Sequence, residues 1–299
     1  MEILGEIRRL KREKDAIVLA HNYTPANVQL TADFLGDSLE LARAAMESKS
    51  RMIVLCGVDF MAETVKILNP EKKVLVPDMS ATCPLAGMVD PCELAEERKR
   101  RPEAAVVSYV NTTARTKAQS DICCTSSNAI EVIRSLPGRE VIFIPDRNLG
   151  QWVKRCTMDR EITLWHGSCY VHTSITLEGV RRMRDEHPDA LVMAHPECSP
   201  EVLGAADMVL STGGMVRLAR ESREREFIVA TEEGLCSRLR RENPSKSFYA
   251  FPEATCRDMK KNTPEKVLKC LERERDEILV EEDLMKKARE PLLRMMKIA

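Results

Sequence analysis

The sequence predicts an α/β protein. It reads as three homologous three-layer αβα units, with short parallel sheets around a pseudo-threefold axis and the active site at the centre. Three observations lead there. Short apolar runs of β type recur along the 299 residues. An Asp-x4-Ser/Thr signature follows each opening run: Asp33 to Ser38, Asp121 to Ser126 and Asp207 to Thr212. A cysteine lies just beyond the last run of each set: Cys83, Cys169 and Cys256.

The opening runs are Ala16–Ala20, Ala105–Tyr109 and Ala190–Ala194. Each is nearly continuous in apolar residues, as a strand buried on both faces of a parallel sheet must be. Each ends in a polar cluster: His21-Asn22-Tyr23, Tyr109-Val110-Asn111 and His195-Pro196-Glu197. The hydroxyl residue of each signature opens a helical pattern, clearest in Leu39-Glu40-Leu41-Ala42-Arg43, and Ser or Thr there is expected to be its N-cap. A second strand follows at Met52–Leu55, Val141–Ile144 and Phe227–Ala230, and a third at Val74–Pro77, Ile162–Trp165 and Phe248–Phe251.

The landmarks keep one register. Ser38, Ser126 and Thr212 are spaced by 88 and 86 residues, and the three cysteines by 86 and 87. Such repetition implies repeated units, here 1–82, 83–169 and 170–263. The charged helical stretch 264–299 is expected to pack back on the first unit beside the N-terminal helix. Alternating strands and helices make right-handed βαβ units. Ligands bind beyond the carboxyl ends of their strands, where all the polar clusters fall.

Composition narrows the function. The net charge is -1, with 46 basic and 47 acidic residues, and aromatics are 4%. Nothing there favours nucleic acid or an anionic membrane. No apolar run approaches the roughly 18 residues that span a bilayer, and the N-terminus lacks an apolar signal region. A cytoplasmic protein is expected. Eleven cysteines without any C-x-x-C pair then point to metal or catalytic roles, with ligands drawn from distant parts of the chain.

Three thiolates from three loops leave one metal position open for Lewis-acid chemistry. A four-iron–four-sulfur cluster and a zinc ion both fit that pattern. Outside this register, cysteines such as Cys56, Cys198 and Cys270 read as small buried hydrophobes, and Cys92 carries little weight alone. Tyr23, Tyr109, His21, His195 and Glu197 are residue types that move protons or orient carboxylates. His172 lies three residues past Cys169, within reach of the same cavity. Ser38, Ser126, Ser211 and Thr212 stand at helix starts, where backbone N–H groups favour phosphate or carboxylate. A small anionic substrate, phosphorylated or not, is expected.

Several segments resemble one family, quinolinate synthase, across essentially the whole chain. They are Ala20-His21-Asn22-Tyr23, Gly36-Asp37-Ser38, Tyr109-Val110-Asn111-Thr112, Cys124-Thr125-Ser126-Ser127-Asn128-Ala129, Pro145-Asp146-Arg147-Asn148-Leu149-Gly150, Trp165-x-Gly167-x-Cys169-x-Val171-His172, His195-Pro196-Glu197-Cys198 and Ser211-Thr212. The resemblance implies condensation of iminoaspartate with dihydroxyacetone phosphate to quinolinate, releasing phosphate and water, on the route to NAD. It implies a four-iron–four-sulfur cluster held by Cys83, Cys169 and Cys256, its open iron a Lewis acid for dehydration. By motif, it assigns proton transfer and substrate binding to Tyr23, Tyr109, Asn111, His195 and Glu197, with His21 and His172 alongside. Ser38, Ser126 and Thr212 would hold phosphate and carboxylate groups. The enzyme that supplies iminoaspartate is a candidate partner. Some members carry C-x-x-C-x-x-C near the third ligand; Cys256-Arg257-Asp258-Met259 here lacks it. Beside this reading stand another cluster-dependent hydro-lyase, an iron–sulfur sensor or carrier, and a zinc protein on the same thiolates.

Overall fold

Each set of apolar runs folds into a four-stranded parallel sheet. The computed structural model describes residues 2–138 and 140–298. The first sheet contains β1 (Ala16–His21), β2 (Phe34–Gly36), β3 (Met52–Cys56) and β4 (Lys73–Leu75). The second contains β5 (Ala105–Tyr109), β6 (Ile122–Cys124), β7 (Glu140–Ile144) and β8 (Glu161–Leu164). The third contains β9 (Leu191–Ala194), β10 (Met208–Val209), β11 (Glu226–Ala230) and β12 (Ser247–Ala250). Their orders are β2-β1-β3-β4, β6-β5-β7-β8 and β10-β9-β11-β12, one topology three times. Helices cover both faces, so the central strands are buried throughout; all five residues of β3 are inaccessible.

The sequence reading finds three strands per unit, and the structure has four. The extra strands are β2, β6 and β10, each two or three residues long and too short for any periodicity. A repeated carboxylate pins them. The Asp33, Asp121 and Asp207 carboxylates accept from the backbone N–H groups of Val18, Val106 and Val192, at 2.8, 2.7 and 2.8 Å. The backbone N–H of each aspartate returns a bond to the same residue's carbonyl. The aspartate of the signature therefore serves the sheet. Other devices repeat as well. Lys72 Nζ donates to the carbonyls of Ala45 and Ser48, and Lys246 Nζ to those of Ala219 and Ser222. Both place a cation at a helix C-terminus, where the helix dipole favours it.

The hydroxyl residues are not the caps that the pattern suggests. Asp37 caps the helix Ser38–Glu47, in a capping box closed by Glu40. Asn128 occupies the cap position of Ala129–Ser135, and Ser126 lies in the loop before it. Ser211 caps Thr212–Glu221 by accepting from Gly214. A neighbour's side chain takes the capping role at Ser38 and Thr212, which leaves their hydroxyls unused by the helix.

The C-terminal stretch divides between two units. The helix Pro264–Arg273 lies on the N-terminal helix Glu2–Glu13 and on β3. Glu274 and Asp276 then adopt positive φ of 50° and 64°, and the chain turns away. The helix Glu282–Met296 packs against Asp59–Leu68 of the first unit, and against Ala114–Lys117 and β6 of the second. Its buried stripe of Ala288, Leu292 and Met295 needs an apolar partner. It finds one in a core that runs from Leu55 of the first unit to Phe143 of the second.

Candidate active site

The carboxyl ends of β1, β5 and β9 open on one central cavity. Two register positions there carry the acid–base residues. At the first stand His21, Tyr109 and His195; two residues later stand Tyr23, Asn111 and Glu197. All six line the cavity. The repeat delivers three like loops, and the side chains on them differ.

These groups form one network. His195 Nδ1 lies 3.2 Å from Glu197 Oε2, and His172 Nδ1 lies 3.4 Å from the same oxygen. Tyr109 donates to Glu197 Oε2 at 3.4 Å. The Tyr23 hydroxyl meets Thr231 Oγ1 at 2.7 Å, and His172 Nε2 meets that Thr231 oxygen at 2.9 Å. The His172 and His195 rings stack at 4.5 Å. Glu197 Oε1, Asn111 Oδ1 and His172 Nδ1 are buried with no hydrogen-bond partner among the described residues, so the His172–Glu197 approach is a contact and not a hydrogen bond. Such atoms are costly unless a ligand satisfies them.

Burial sets the protonation states. It pulls His21 down to about 4 and both His172 and His195 down to about 3, so all three rings are neutral near pH 7. It pushes Glu197 up, against the pull of His172. Tyr23 and Tyr109 are held well above their usual value by burial and then by the Glu197 charge, so both keep their phenolic protons.

Ser38, Ser126 and Thr212 line the same cavity. Ser126 Oγ lies 3.1 Å from His195 Nε2, and Thr212 Oγ1 accepts from Asn22 Nδ2 at 3.0 Å. Ser211 does not face the cavity; it is spent on its cap. No lysine or arginine lines the cavity among the described residues. An anion there would be met by hydroxyls and backbone N–H groups. Asp37 and Glu232 also line the cavity and Thr231 stands behind it; the sequence shows Asp37 only within the Gly36-Asp37-Ser38 segment and gives the other two no role. Asp37 accepts from Ser127 Oγ at 2.6 Å, which ties the first and second units at the cavity wall.

Cys83, Cys169 and Cys256 converge on the cavity from three loops. Burial raises all three thiols. The backbone N–H groups of Ala86, His172 and Met259, each three residues on, oppose that rise and favour thiolate. Gly167 sets the middle loop. A Cβ there would stand 2.6 Å from the Pro145 carbonyl, so only glycine allows this approach. All eleven cysteines are free; Cys56, Cys123, Cys124, Cys198, Cys236 and Cys270 are buried, and Cys92 is exposed. The donor atoms of Cys169, His172 and Glu197 also lie within 4.8 Å of one another, close enough to hold a metal ion. Three convergent thiols with unpartnered oxygen nearby suit a metal group that leaves room for a substrate.

No helix among the described residues is long and apolar enough to cross a membrane. Residues 5–297 match the family model described as NadA, quinolinate synthetase A protein. The chain is 49% identical to the quinolinate synthase of Thermodesulfovibrio yellowstonii, over 97% of this chain and 96% of that one. It is 46% identical to that of Methanocaldococcus jannaschii and 44% identical to that of Caldicellulosiruptor saccharolyticus. Each match covers 100% of this chain and 99% of the relative.

Proposed function

Because this chain is an enzyme belonging to the quinolinate synthetase A protein family, we propose that it condenses iminoaspartate with dihydroxyacetone phosphate to quinolinate. Phosphate and water are released. The observation that carries this reading is the meeting of three register-related cysteines, three neutral imidazoles and a buried, half-unpaired carboxylate at one cavity.

Cys83, Cys169 and Cys256 would hold a four-iron–four-sulfur cluster, which supplies Lewis acidity for dehydration when bound. The chain's own residues do the rest. Ser38, Ser126 and Thr212 offer hydroxyls to the phosphate and carboxylate groups, and Ser211 keeps the Thr212 turn in place. Asn111 offers its unpartnered Oδ1 to the substrate amine. Tyr23 and Tyr109, protonated near pH 7, donate to oxygen that gains charge. His21 and His195, neutral there, accept protons as the carbon–carbon bond and the ring imine form. Glu197 takes or returns the proton of the final dehydration, with His172 orienting its carboxylate. The eleven free thiols support a reducing compartment, the cytoplasm. Iminoaspartate is unstable, so the enzyme that makes it is the expected partner.

An anaerobic assay supplying dihydroxyacetone phosphate and freshly generated iminoaspartate tests the reaction. Quinolinate formation supports it; a loaded protein that makes none points to another hydro-lyase. A second reading rests on the Cys169, His172 and Glu197 donors, which suit a single ion. Metal and sulfide analysis separates the two, since a single ion brings no sulfide.

A further inference from the structure

Each of the three cysteines is tied by its own backbone N–H to a carboxylate at the end of a neighbouring strand. Cys83 N–H donates to Asp59 Oδ1 at 3.2 Å, Cys169 N–H to Asp146 Oδ2 at 3.1 Å, and Cys256 N–H to Glu232 Oε1 at 2.9 Å. Asp59, Asp146 and Glu232 follow β3, β7 and β11, spaced by 87 and 86 residues, within one residue of the 86 and 87 that separate the cysteines. A backbone bond accompanies each contact. The N–H groups of Asp59, Arg147 and Glu233 donate to the carbonyls of Ala81, Gly167 and Ala254, two residues before the cysteines. Asp146 and Glu232 are wholly inaccessible.

The same carboxylates also reach a helix start. They accept from the N–H groups of Phe60, Leu149 and Gly234 at 2.8, 2.8 and 2.7 Å. Capping alone does not account for them. A serine or threonine would cap as well, and none would have to be a buried acid. Among the described residues, only Glu232 of the three forms an ion pair, with Lys260 at 2.8 Å. Only Asp146 is a true N-cap; the hydrogen bond to the cysteine is what all three share beyond a contact at the helix start.

We infer that Asp59, Asp146 and Glu232 are positioning residues that aim the three sulfurs at one cluster and, by taking each ligand's own N–H, withhold that donor from sulfur. This rests on the iron–sulfur reading above. Hydrogen bonds to cluster sulfur and net charge around it set the reduction potential. Fewer donors to sulfur keep the potential low, and a cluster that resists reduction stays a Lewis acid.

The test uses full-length protein reconstituted anaerobically, with iron and sulfide content, iron loss to a chelator, and a spectroscopic redox titration. Asp146→Ala removes the acceptor and frees the Cys169 N–H, and we expect iron loss to accelerate tenfold to a hundredfold and the potential to rise. Asp146→Asn keeps an acceptor for the Cys169 N–H, so its iron loss and potential stay nearer wild type than those of Asp146→Ala. Asp59→Ala, at a less buried carboxylate, gives the same comparison should Asp146→Ala not fold. Wild-type loss rates and potentials in Asp146→Ala and Asp59→Ala would overturn the inference and leave Asp146 as a helix cap. A wild-type protein that takes up no iron and sulfide would overturn the cofactor reading itself, and this inference with it.

Discussion

The shell of this molecule keeps its repeat, and its centre breaks it. In the shell, three aspartates make the same bond to three strands, 2.7–2.8 Å each time, and three carboxylates hold three cysteines. At the centre, equivalent positions carry His21, Tyr109 and His195, then Tyr23, Asn111 and Glu197. The difference follows from what each region must do. A shell bond closes a backbone that is the same three times, so one residue type suffices. A substrate without threefold symmetry needs different groups on each side. The cysteines belong to the shell by pattern and to the centre by position, which is what the proposed cluster would require of its ligands.

The comparison can be broken at its centre first. Glu197→Gln keeps the shape and the Tyr109 contact but carries no proton between groups. We expect turnover to fall by about 10²–10⁴-fold, with thermal midpoint and iron content unchanged. Turnover within a few-fold of wild type would end the role given to Glu197.

The next effect is on stability against pH. Burial holds His21 near 4 in the folded protein, against about 6.5 in an unfolded chain. Between those values the unfolded state binds the extra proton, so stability falls as pH falls, by up to ~3 kcal/mol at pH 4. Buried carboxyls such as Glu197 are shifted up and act in the opposite direction. The readout is therefore the difference between wild type and His21→Asn in denaturant melts from pH 7 to 4. The variant should show the shallower loss on acidification; parallel curves would contradict it.

Gly167→Ala forces a Cβ onto the Pro145 carbonyl. A destabilisation of about 1–3 kcal/mol is expected, together with weaker iron retention, because the loop that carries Cys169 must shift. Smallest is the shell aspartate Asp207→Asn. Its partly exposed carboxylate should cost about 1 kcal/mol when replaced, visible in the melt, with iron content and turnover unaffected. A loss of iron in that variant would mean that the two carboxylate sets are not separable.

Much of this was legible in the sequence, for identifiable reasons. The first, second and third strands of each unit are long enough to show continuous apolar character. The edge strands β2, β6 and β10 are not; only the aspartate before each one betrays it, through a backbone bond that composition does not reveal. The last helix was legible as a helix, but its seat across two units depends on where β6 and Asp59–Leu68 meet. At the site, the polar strand ends and the cysteine register were plain. The hydroxyl residues were visible, but Ser38, Ser126 and Thr212 are not the caps; Asp37, Asn128 and Ser211 hold those positions. Asp59, Asp146 and Glu232 went unread although their 87 and 86 spacing stands in the sequence. Two aspartates and a glutamate do not look alike, and only the fold shows that each reaches a cysteine.

The central claim is that three cysteines from three units share one cluster. Iron and sulfide content with a visible absorption spectrum, on anaerobically purified wild type and Cys169→Ser, tests it directly. The account predicts about four irons and as many sulfides per chain in wild type, lost in the variant while the three sheets still melt cooperatively. Zinc, a single iron without sulfide, or a cluster that survives Cys169→Ser would contradict it.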